Sequence, residues 1–472
     1  MATSVGVRKI LDLKRFEICA PAPVATGAGT HIISSRHYRQ QQLLISSATV
    51  HYLYHPGEDG WTQIPSGALT PAIAAGGSGT ATAVGPSGTA SGGTTSTVNT
   101  TLNLQRDLRG YSIHITAGPG AGETKVIASN TIGANSIITI VGTFGTSITA
   151  SSIFRLLTPR FYVLTGGTLA SGSFKYYDFA TNTWSAALSI AGLAATLGTD
   201  GRLVATPSWM DDAYKIFGTG TASAGAASTL TDSTKAWTTN QWANSQVRIV
   251  SGTGAGQIRT IASNTGTVLT TSAAWTTNPD NTSVYAIEGN DDFLYYLGNG
   301  AVTLYRYSIS GNTWSTLSPG VARGGAASTG MSAHWIWDTE DAAWNTENAI
   351  LNGRYIYSFR GAGGTLLDRY DIAANSWANV PYAPQTETFT SGTKWTYHGN
   401  YIYCQKDATG RFFRYNVVTA EQDGFTSLLY TQGAAVIGDT LFDVNYRDGA
   451  TEITWLYLIL NTSAVMLRVM VI

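Results

Sequence analysis

The sequence predicts an all-β chain built of repeated four-stranded units, and three observations carry that expectation. The first is composition. Of 472 residues only 12% are charged while 11% are aromatic, and there are 52 Gly, 13 Trp and 24 Tyr. Few charges with many aromatics and turn formers suit strands and tight turns, and such a chain buries too much apolar surface to be disordered. The second is a unit that recurs along the chain, a hydrophobic strand, a glycine-rich turn, an aromatic strand and a turn ending in Trp. The third is the duplication of a different, smaller unit.

The recurring unit reads FYVLTGGTLASGSFKYYDFATNTW up to Trp184, FLYYLGNGAVTLYRYSISGNTW up to Trp314 and YIYSFRGAGGTLLDRYDIAANSW up to Trp377. Weaker copies end at Trp61 and, with Phe425 in the Trp position, at YIYCQKDATGRFFRYNVVTAEQDGF. A degenerate copy closes the chain. Its residues 456–472 are apolar but interrupted by Asn461, Thr462, Ser463 and Arg468, so they read as two core strands and a turn rather than a membrane span. The alternation of Phe174 and Tyr176 with Lys175 and Tyr177 marks a half-buried strand. Gly166–Gly167 and Gly363–Gly364 allow close backbone approach, Asn182, Asn312 and Asn375 suit the turn before the outer strand, and each Trp can fill the gap between neighbouring sheets.

This order of residues resembles kelch-repeat β-propellers, which show a Gly–Gly pair, a Tyr and a Trp about six residues later. Gly166, Gly167, Tyr177 and Trp184 match that order, as do Gly363, Gly364, Tyr370 and Trp377; Gly298 and Gly300 replace the adjacent pair before Trp314. The resemblance implies a kelch-like β-propeller of about six blades, over residues 31–75, 159–217 and 289–472. It implies no function, because propellers serve many.

Two long insertions separate the units. One holds GYSIHITAGPGAGETKVIASNT and the other NSQVRIVSGTGAGQIRTIASNT. Gly118–Gly122 aligns with Gly252–Gly256, and Ile127-Ala128-Ser129-Asn130-Thr131 with Ile261-Ala262-Ser263-Asn264-Thr265. Each reads as a small antiparallel β-module, with strands over 111–116, 124–128 and 136–141 in the first and 246–250, 258–262 and 268–271 in the second. Residues 80–97, rich in Gly, Ser and Thr, read as a linker into the first. The expected organisation is an N-terminal arm and first blade over 1–75, module 1 over 76–158, a blade over 159–217, module 2 over 218–288 and the remaining blades over 289–472. The second module resembles a repeat of tailed-bacteriophage virion proteins; the first lacks counterparts of Trp237, Trp242 and Trp275.

No motif carries chemistry. The GPGAG and GTGAG segments lack the Lys and the following helix of a phosphate loop and read as hairpins. His51 and His55 on one strand lie about 13 Å apart, too far to share an ion. Cys404 beside Tyr401 and Tyr403 lacks the paired His of a copper-radical oxidase, and Leu230 and Thr234 spoil an Asp box between Asp232 and Trp237. Calcium at Asp211, Asp212, Asp291 and Asp292 has no EF-hand spacing behind it. Cys19 and Cys404 read as buried small hydrophobes. Trp335, Trp337, Asp338 and Trp344, with Glu340, Asp341 and Glu347 close by, combine indoles and carboxylates as sugar-gripping β-proteins do, and they are the expected glycan-binding site if one exists.

With a formal net charge of −1 the chain lacks the basic excess of a nucleic-acid binder. No secretory signal or membrane-spanning segment is visible. The expectation is a non-enzymatic bacteriophage virion protein of tail, neck, baseplate or head decoration, assembled in the host cytoplasm. It needs no catalytic residue, cofactor or metal. Its partners would be other virion proteins and symmetric copies of itself, through the segment 1–16 among others, with a host surface glycan as a further partner. A carbohydrate-binding adhesin or receptor-binding fibre component is the alternative.

Overall fold

The computed structural model of the protein describes residues 17–25, 30–35, 42–45, 50–65, 69, 72–74, 77–206, 209–210, 213–214, 216–298, 300, 302–326, 330–336, 355–361, 366–380, 389–390, 393–398, 401–406, 411–417, 422–427, 441–448, 451–460 and 464–471. Among these residues there is no helix, and six four-stranded antiparallel sheets form the blades of a propeller. Blade 1 is His31–Ser34, Gln42–Ile45, His51–His55 and Gly60–Gln63. Blade 2 is Ser78–Thr82, Arg160–Leu164, Phe174–Asp178 and Thr183–Trp184. Blade 3 is Arg202–Ala205, Phe293–Leu297, Leu304–Ser308 and Thr313–Thr316. Blade 4 is His334–Trp335, Tyr355–Phe359, Leu367–Asp371 and Ser376–Asn379. Blade 5 is Lys394–His398, Tyr401–Lys406, Arg411–Asn416 and Gln422–Ser427. Blade 6 is Leu441–Asp448, Thr451–Ile459 and Met466–Val471, completed by Glu17–Ile18 from the other end of the chain. Arg468 binds Glu17 through Nε at 2.7 Å and Nη2 at 2.6 Å across that seam.

First strands of neighbouring blades pack on one another, so they line the axis. Short side chains make this possible: a Cβ on Gly79 would run into Ile33. The core lies between blades. Phe174 faces blade 3, where it meets Tyr307 and Trp314 at centroid distances of 4.8 and 5.3 Å. Tyr177 lies on the opposite face with Leu43 and Leu53 of blade 1. The simple alternation expected here is therefore overturned at Tyr177, because a blade has a neighbour on both faces. Trp314 and Trp377 are buried as expected, whereas Trp184 is half-buried. Cys19 and Cys404 are buried and unbridged, and burial pushes the Cys19 thiol up to about 12. Gly363, Gly364 and the Phe425 side chain lie outside the described residues.

Both insertions fall inside a blade rather than between blades. Module 1 interrupts blade 2 between Ser78–Thr82 and Arg160–Leu164; module 2 interrupts blade 3 between Arg202–Ala205 and Phe293–Leu297. The repeated sequence unit starts at the second strand of a blade, so the expected module over 76–158 takes in the first strand of blade 2, and the expected blade over 159–217 takes in the first strand of blade 3. Nor is 80–97 a linker. It supplies the rest of the axial strand of blade 2 and then Ser87–Gly93, the first strand of the module.

Module 1 is a closed barrel of Ser87–Gly93, Thr97–Thr100, Ser112–Ala117, Thr124–Asn130, Ile137–Ile140 and Ile153–Leu157. Module 2 repeats its pairing with Thr229–Thr231, Gln246–Ser251, Ile258–Asn264, Val268–Thr271 and Val284–Glu288; its first strand is split into Ile216–Thr221 and Ala224–Ala226. The glycine segments are hairpins. Gly118, Gly120 and Gly122 have φ of 75°, 84° and 85°, and Gly252, Gly254 and Gly256 have 78°, 80° and 86°. These angles favour glycine. At Gly118 and Gly252 a Cβ would also strike the backbone of Ser151 and Thr282.

The shared Ile-Ala-Ser-Asn-Thr segment is a clamp. Asn130 Oδ1 accepts from Leu108 N at 2.7 Å, and its Nδ2 donates to Arg106 O at 3.0 Å. Asn264 Oδ1 accepts from Trp242 N at 2.8 Å, and its Nδ2 donates to Thr238 O at 2.9 Å.

Candidate functional site

Three places in the fold bring polar and aromatic side chains together, the first of them around the residues that the sequence singles out. Trp335 is on the axial strand of blade 4 and only 2% exposed, packed with Val204, Tyr295 and Trp377. It presents no open indole face to the outer surface. Trp337, Asp338 and Trp344 lie outside the described residues, as do Glu340, Asp341, Glu347, Asp211, Asp212 and the segment 1–16. Asp292 caps a turn, accepting from Ser310 N at 2.6 Å and from Ser308 Oγ at 2.7 Å, and Asp291 lies 3.3 Å from Arg155 of module 1. Both are thus occupied as structural acceptors. Among the described residues no group of His, Cys, Asp or Glu is arranged to hold a metal, and no helix is long and apolar enough to cross a membrane.

The second place is the contact between the two modules. Strand Ser112–Ala117 turns Ile113 and Ile115 into the barrel core and leaves Ser112, His114 and Thr116 on its other face. Strand Gln246–Ser251 likewise turns Val247 and Ile249 inward and leaves Arg248 on its other face. The two strands pack together. The hairpins cross nearby: a Cβ on Gly122 would stand 3.7 Å from Val250, and one on Gly256 3.0 Å from Ala117. Each copy thus uses the same glycine against the strand of the other.

This contact is buried and polar. Arg248 grips Glu288 bidentately, Nε to Oε1 at 2.9 Å and Nη2 to Oε2 at 2.6 Å, with both side chains essentially inaccessible. His114 of module 1 approaches Glu288 Oε1 with Nε2 at 3.9 Å, and its Nδ1 lies 2.7 Å from Thr124 Oγ1. Burial pushes the His114 imidazole down to about 3, aided by Arg248 and Arg155 and opposed by Glu288. It stays neutral near pH 7. Paired, hydrogen-bonded charges in so dry a contact fix one arrangement of the two barrels, since any shift would strand an ion.

The third place is a cavity on the propeller axis. Its lining comes from the first strands of blades 1 to 5 and includes His31, Ser78, Thr80, Arg202, His334 and Trp395. Burial, Arg202 and Lys394 together hold His31 down to about 3.

No protein-family model matches the chain, and no curated protein matches it. Among solved structures it is similar to a chain of "Crystal Structure of Mitotic Checkpoint Complex", at 9% identity and a TM-score of 0.39, over 98% of this chain and 93% of that one. The blade assignment rests on the sheets themselves.

Sequence reasoning missed the axial lining. His31, Ser78 and Arg202 are each the first residue of an axial strand, a positional signal that appears only once the insertions are taken out of blades 2 and 3. Arg248 and Glu288 were equally silent, because the first module has no matching pair at these positions.

Proposed function

We propose that this chain is a non-enzymatic structural component of a tailed-bacteriophage virion, a tail, neck, baseplate or head-decoration part that works by assembling with copies of itself and with other virion proteins. On this reading the propeller is of kelch type and the duplicated barrels are of the kind that decorate phage particles; the Gly–Gly, Tyr and Trp order and the GTGAG and IASNT segments support it.

One observation carries the assembly reading. The outer face of module 1 exposes Val126 (44%), Ile132 (62%), Ile137 (42%) and Val141 (59%). Val141 N donates to Val126 O at 2.8 Å and Thr131 N to Ile137 O at 3.0 Å, so the four sit on one adjoining pair of strands. In module 2 the same places hold Thr260, Gly266, Val268 and Ser272, with Ser272 N donating to Thr260 O in the same way. Thr260 and Ser272 are polar where module 1 has Val126 and Val141, and Gly266 stands where it has Ile132, so module 1 is the more apolar copy here and presents a face suited to burial. Near this face Glu123 and Lys125 neutralise each other at 3.2 Å. An exposed apolar face without an unpaired charge from that pair suits burial against a second copy. The net charge of −1 puts little repulsion in its way.

The test is twofold. Mass spectrometry and reconstruction of purified particles should find the chain at a fixed copy number in symmetric positions. Sedimentation of the purified chain should show self-association that Val141→Glu and Ile132→Glu abolish without lowering the melting temperature. Absence from particles, or turnover of a small substrate by the monomer, would overturn the reading.

A further inference from the structure

The axial cavity is lined by buried polar side chains, with one guanidinium among them. Arg202 and His31 are 4% and 3% exposed, and His334 8%. None of the lining residues is Asp or Glu. Ser78 Oγ accepts from Leu203 N at 2.8 Å and Thr80 Oγ1 from Ala205 N at 3.0 Å. An oxygen that already accepts keeps its own proton to give away, so these two hydroxyls add donors beside the guanidinium. Trp395, whose indole N–H is spent on Gly330 O at 3.0 Å, and Trp335 supply apolar wall.

A second cation lies close to Arg202. Lys394, the first residue of the axial strand that also carries Trp395 and Tyr397, is wholly buried. It and Arg202 are both close enough to His31 to lower its pKa. Two carboxylates lie in the same region but do not line the cavity. Asp200 Oδ2 accepts from Gly330 N at 2.9 Å. Asp443 accepts from Thr396 Oγ1 at 2.9 Å and stands 3.4 Å from His398 Nδ1.

The cavity also has a direction. His31, Ser78 and Arg202 are buried at the starts of their strands, while Ser34, Thr80, Ala81 and Tyr397, further along, are partly exposed. The charged groups therefore form a floor and the later residues a mouth. At about 110 Å³ the space suits a group of a few heavy atoms rather than a sugar ring with its substituents.

We propose that this axial cavity binds a small oxyanion, an inorganic phosphate or sulfate or a single carboxylate, held by Arg202 with Ser78, Thr80 and His334. A guanidinium offers paired N–H groups to two oxygens at once, and hydroxyl donors satisfy the others. A metal cation is disfavoured by the same lining. The site is separate from the outer face of module 1 and stands or falls independently of the assembly reading.

Calorimetric titration and thermal melts of the full chain, with sodium phosphate, sodium sulfate or sodium acetate against sodium chloride at matched ionic strength, test it. The two arms separate tetrahedral oxyanions from a carboxylate. Saturable heat and a melting temperature that rises with one of these anions but not with chloride are expected. Arg202→Met should weaken binding at least tenfold, and His334→Gln severalfold. Should Arg202→Met fail to fold, crystals of the wild-type chain soaked in selenate decide the matter, with an anomalous peak expected between Arg202 and His334. No saturable binding by any of the three anions, unchanged binding in Arg202→Met, or selenate found only outside the cavity would each overturn the proposal.

Discussion

The phenol of Tyr307 donates to Asn312 Oδ1 at 2.7 Å, and Asn312 holds a left-handed backbone with φ of 47°. The same Oδ1 accepts from Ser189 N at 2.8 Å, and Trp314 Nε1 donates to Ser189 O at 2.9 Å. Two side chains of blade 3, Asn312 and Trp314, thereby clip both backbone groups of one residue in the segment leaving blade 2, and Tyr307 holds Asn312 in place. Blade 1 repeats the device on the segment leaving blade 6. Tyr54 donates to Asp59 at 2.6 Å, Asp59 (φ 46°) accepts from Ala20 N at 3.0 Å, and Trp61 Nε1 reaches Ala20 O at 3.5 Å. Blade 4 keeps the Tyr370–Asn375 bond at 2.7 Å, and there Asn375 Nδ2 donates to Ser318 O.

This geometry separates two roles of Asn312. Asn312→Gly keeps the backbone angle and loses the acceptor; Asn312→Ala loses both. Denaturant unfolding should rank wild type above Gly and Gly above Ala. The Gly variant should lose about 1–3 kcal/mol for the stranded Tyr307 and Ser189 donors, and Ala about 1 kcal/mol more for the left-handed backbone. Equal losses for the two would show that the angle is not under strain.

The tryptophans should not be equivalent. Trp314 and Trp377, 6% and 3% exposed, sit in interblade cores, and truncation of either to Ala should cost about 3–5 kcal/mol. Trp184 is half-buried and has His51 edge-on at 5.3 Å, so Trp184→Ala should cost clearly less. Melts of the three variants side by side check the order.

Much of the ring could be read from the chain because each blade repeats its turn chemistry. An Asn two residues before a Trp, after an aromatic strand, marks the Tyr–Asn bond at Asn182, Asn312 and Asn375 alike. The half-buried state of Trp184 could not be read, since exposure depends on what the neighbouring blade supplies. The burial of Trp335 could not be read for a related reason: it depends on the blades on either side of its axial strand. The axial lining was hidden because its residues come from five separated strands, two of them cut off from their blades by whole modules.

Acid should destabilise the fold through its buried imidazoles. Burial holds His51 near 4 and His31 near 3, and the folded protein keeps both neutral. The unfolded chain protonates them near pH 6.5. Below that pH the unfolded state binds more protons, so stability is complete above about pH 6.5 and falls as pH drops toward the folded values. The His51 contribution alone is on the order of 3 kcal/mol. His51→Phe keeps an aromatic ring against Trp184 and removes the titration. Unfolding midpoints from pH 7.5 to 4.5 should fall less steeply for this variant than for wild type, and parallel curves would discard the assignment.

The Asn clamps of the two modules offer a local test. Asn130→Ala strands Leu108 N, and Asn264→Ala strands Trp242 N. Each should cost about 1–3 kcal/mol. Amide exchange should speed up within the altered barrel and leave the blades, and the other barrel, protected. Uniform loss of protection would mean that modules and propeller unfold as one unit.

Blade 2 departs from the clip in a way that ties module 1 to the ring. Trp184 Nε1 donates to Pro65 O at 2.9 Å, just as Trp314 does to Ser189 O. Proline has no N–H, so Asn182 cannot receive the bond that Ser189 and Ala20 give elsewhere. Arg106 of module 1 takes that place, with Nη2 at 2.9 Å from both Asn182 Oδ1 and Tyr177 Oη. Asn182 still accepts from the Tyr177 phenol at 2.6 Å. If the arginine substitutes for the missing amide, Pro65→Ala should make it less necessary. Arg106→Met should cost about 1–3 kcal/mol in the wild-type background, as expected for a hydrogen bond from a charged donor. The same change should cost measurably less beside Pro65→Ala, where a backbone N–H is again available to Asn182. A double-mutant cycle of denaturant unfolding reads that difference directly. An interaction energy of zero would mean that Arg106 and the residue 65 backbone do not compete for one acceptor.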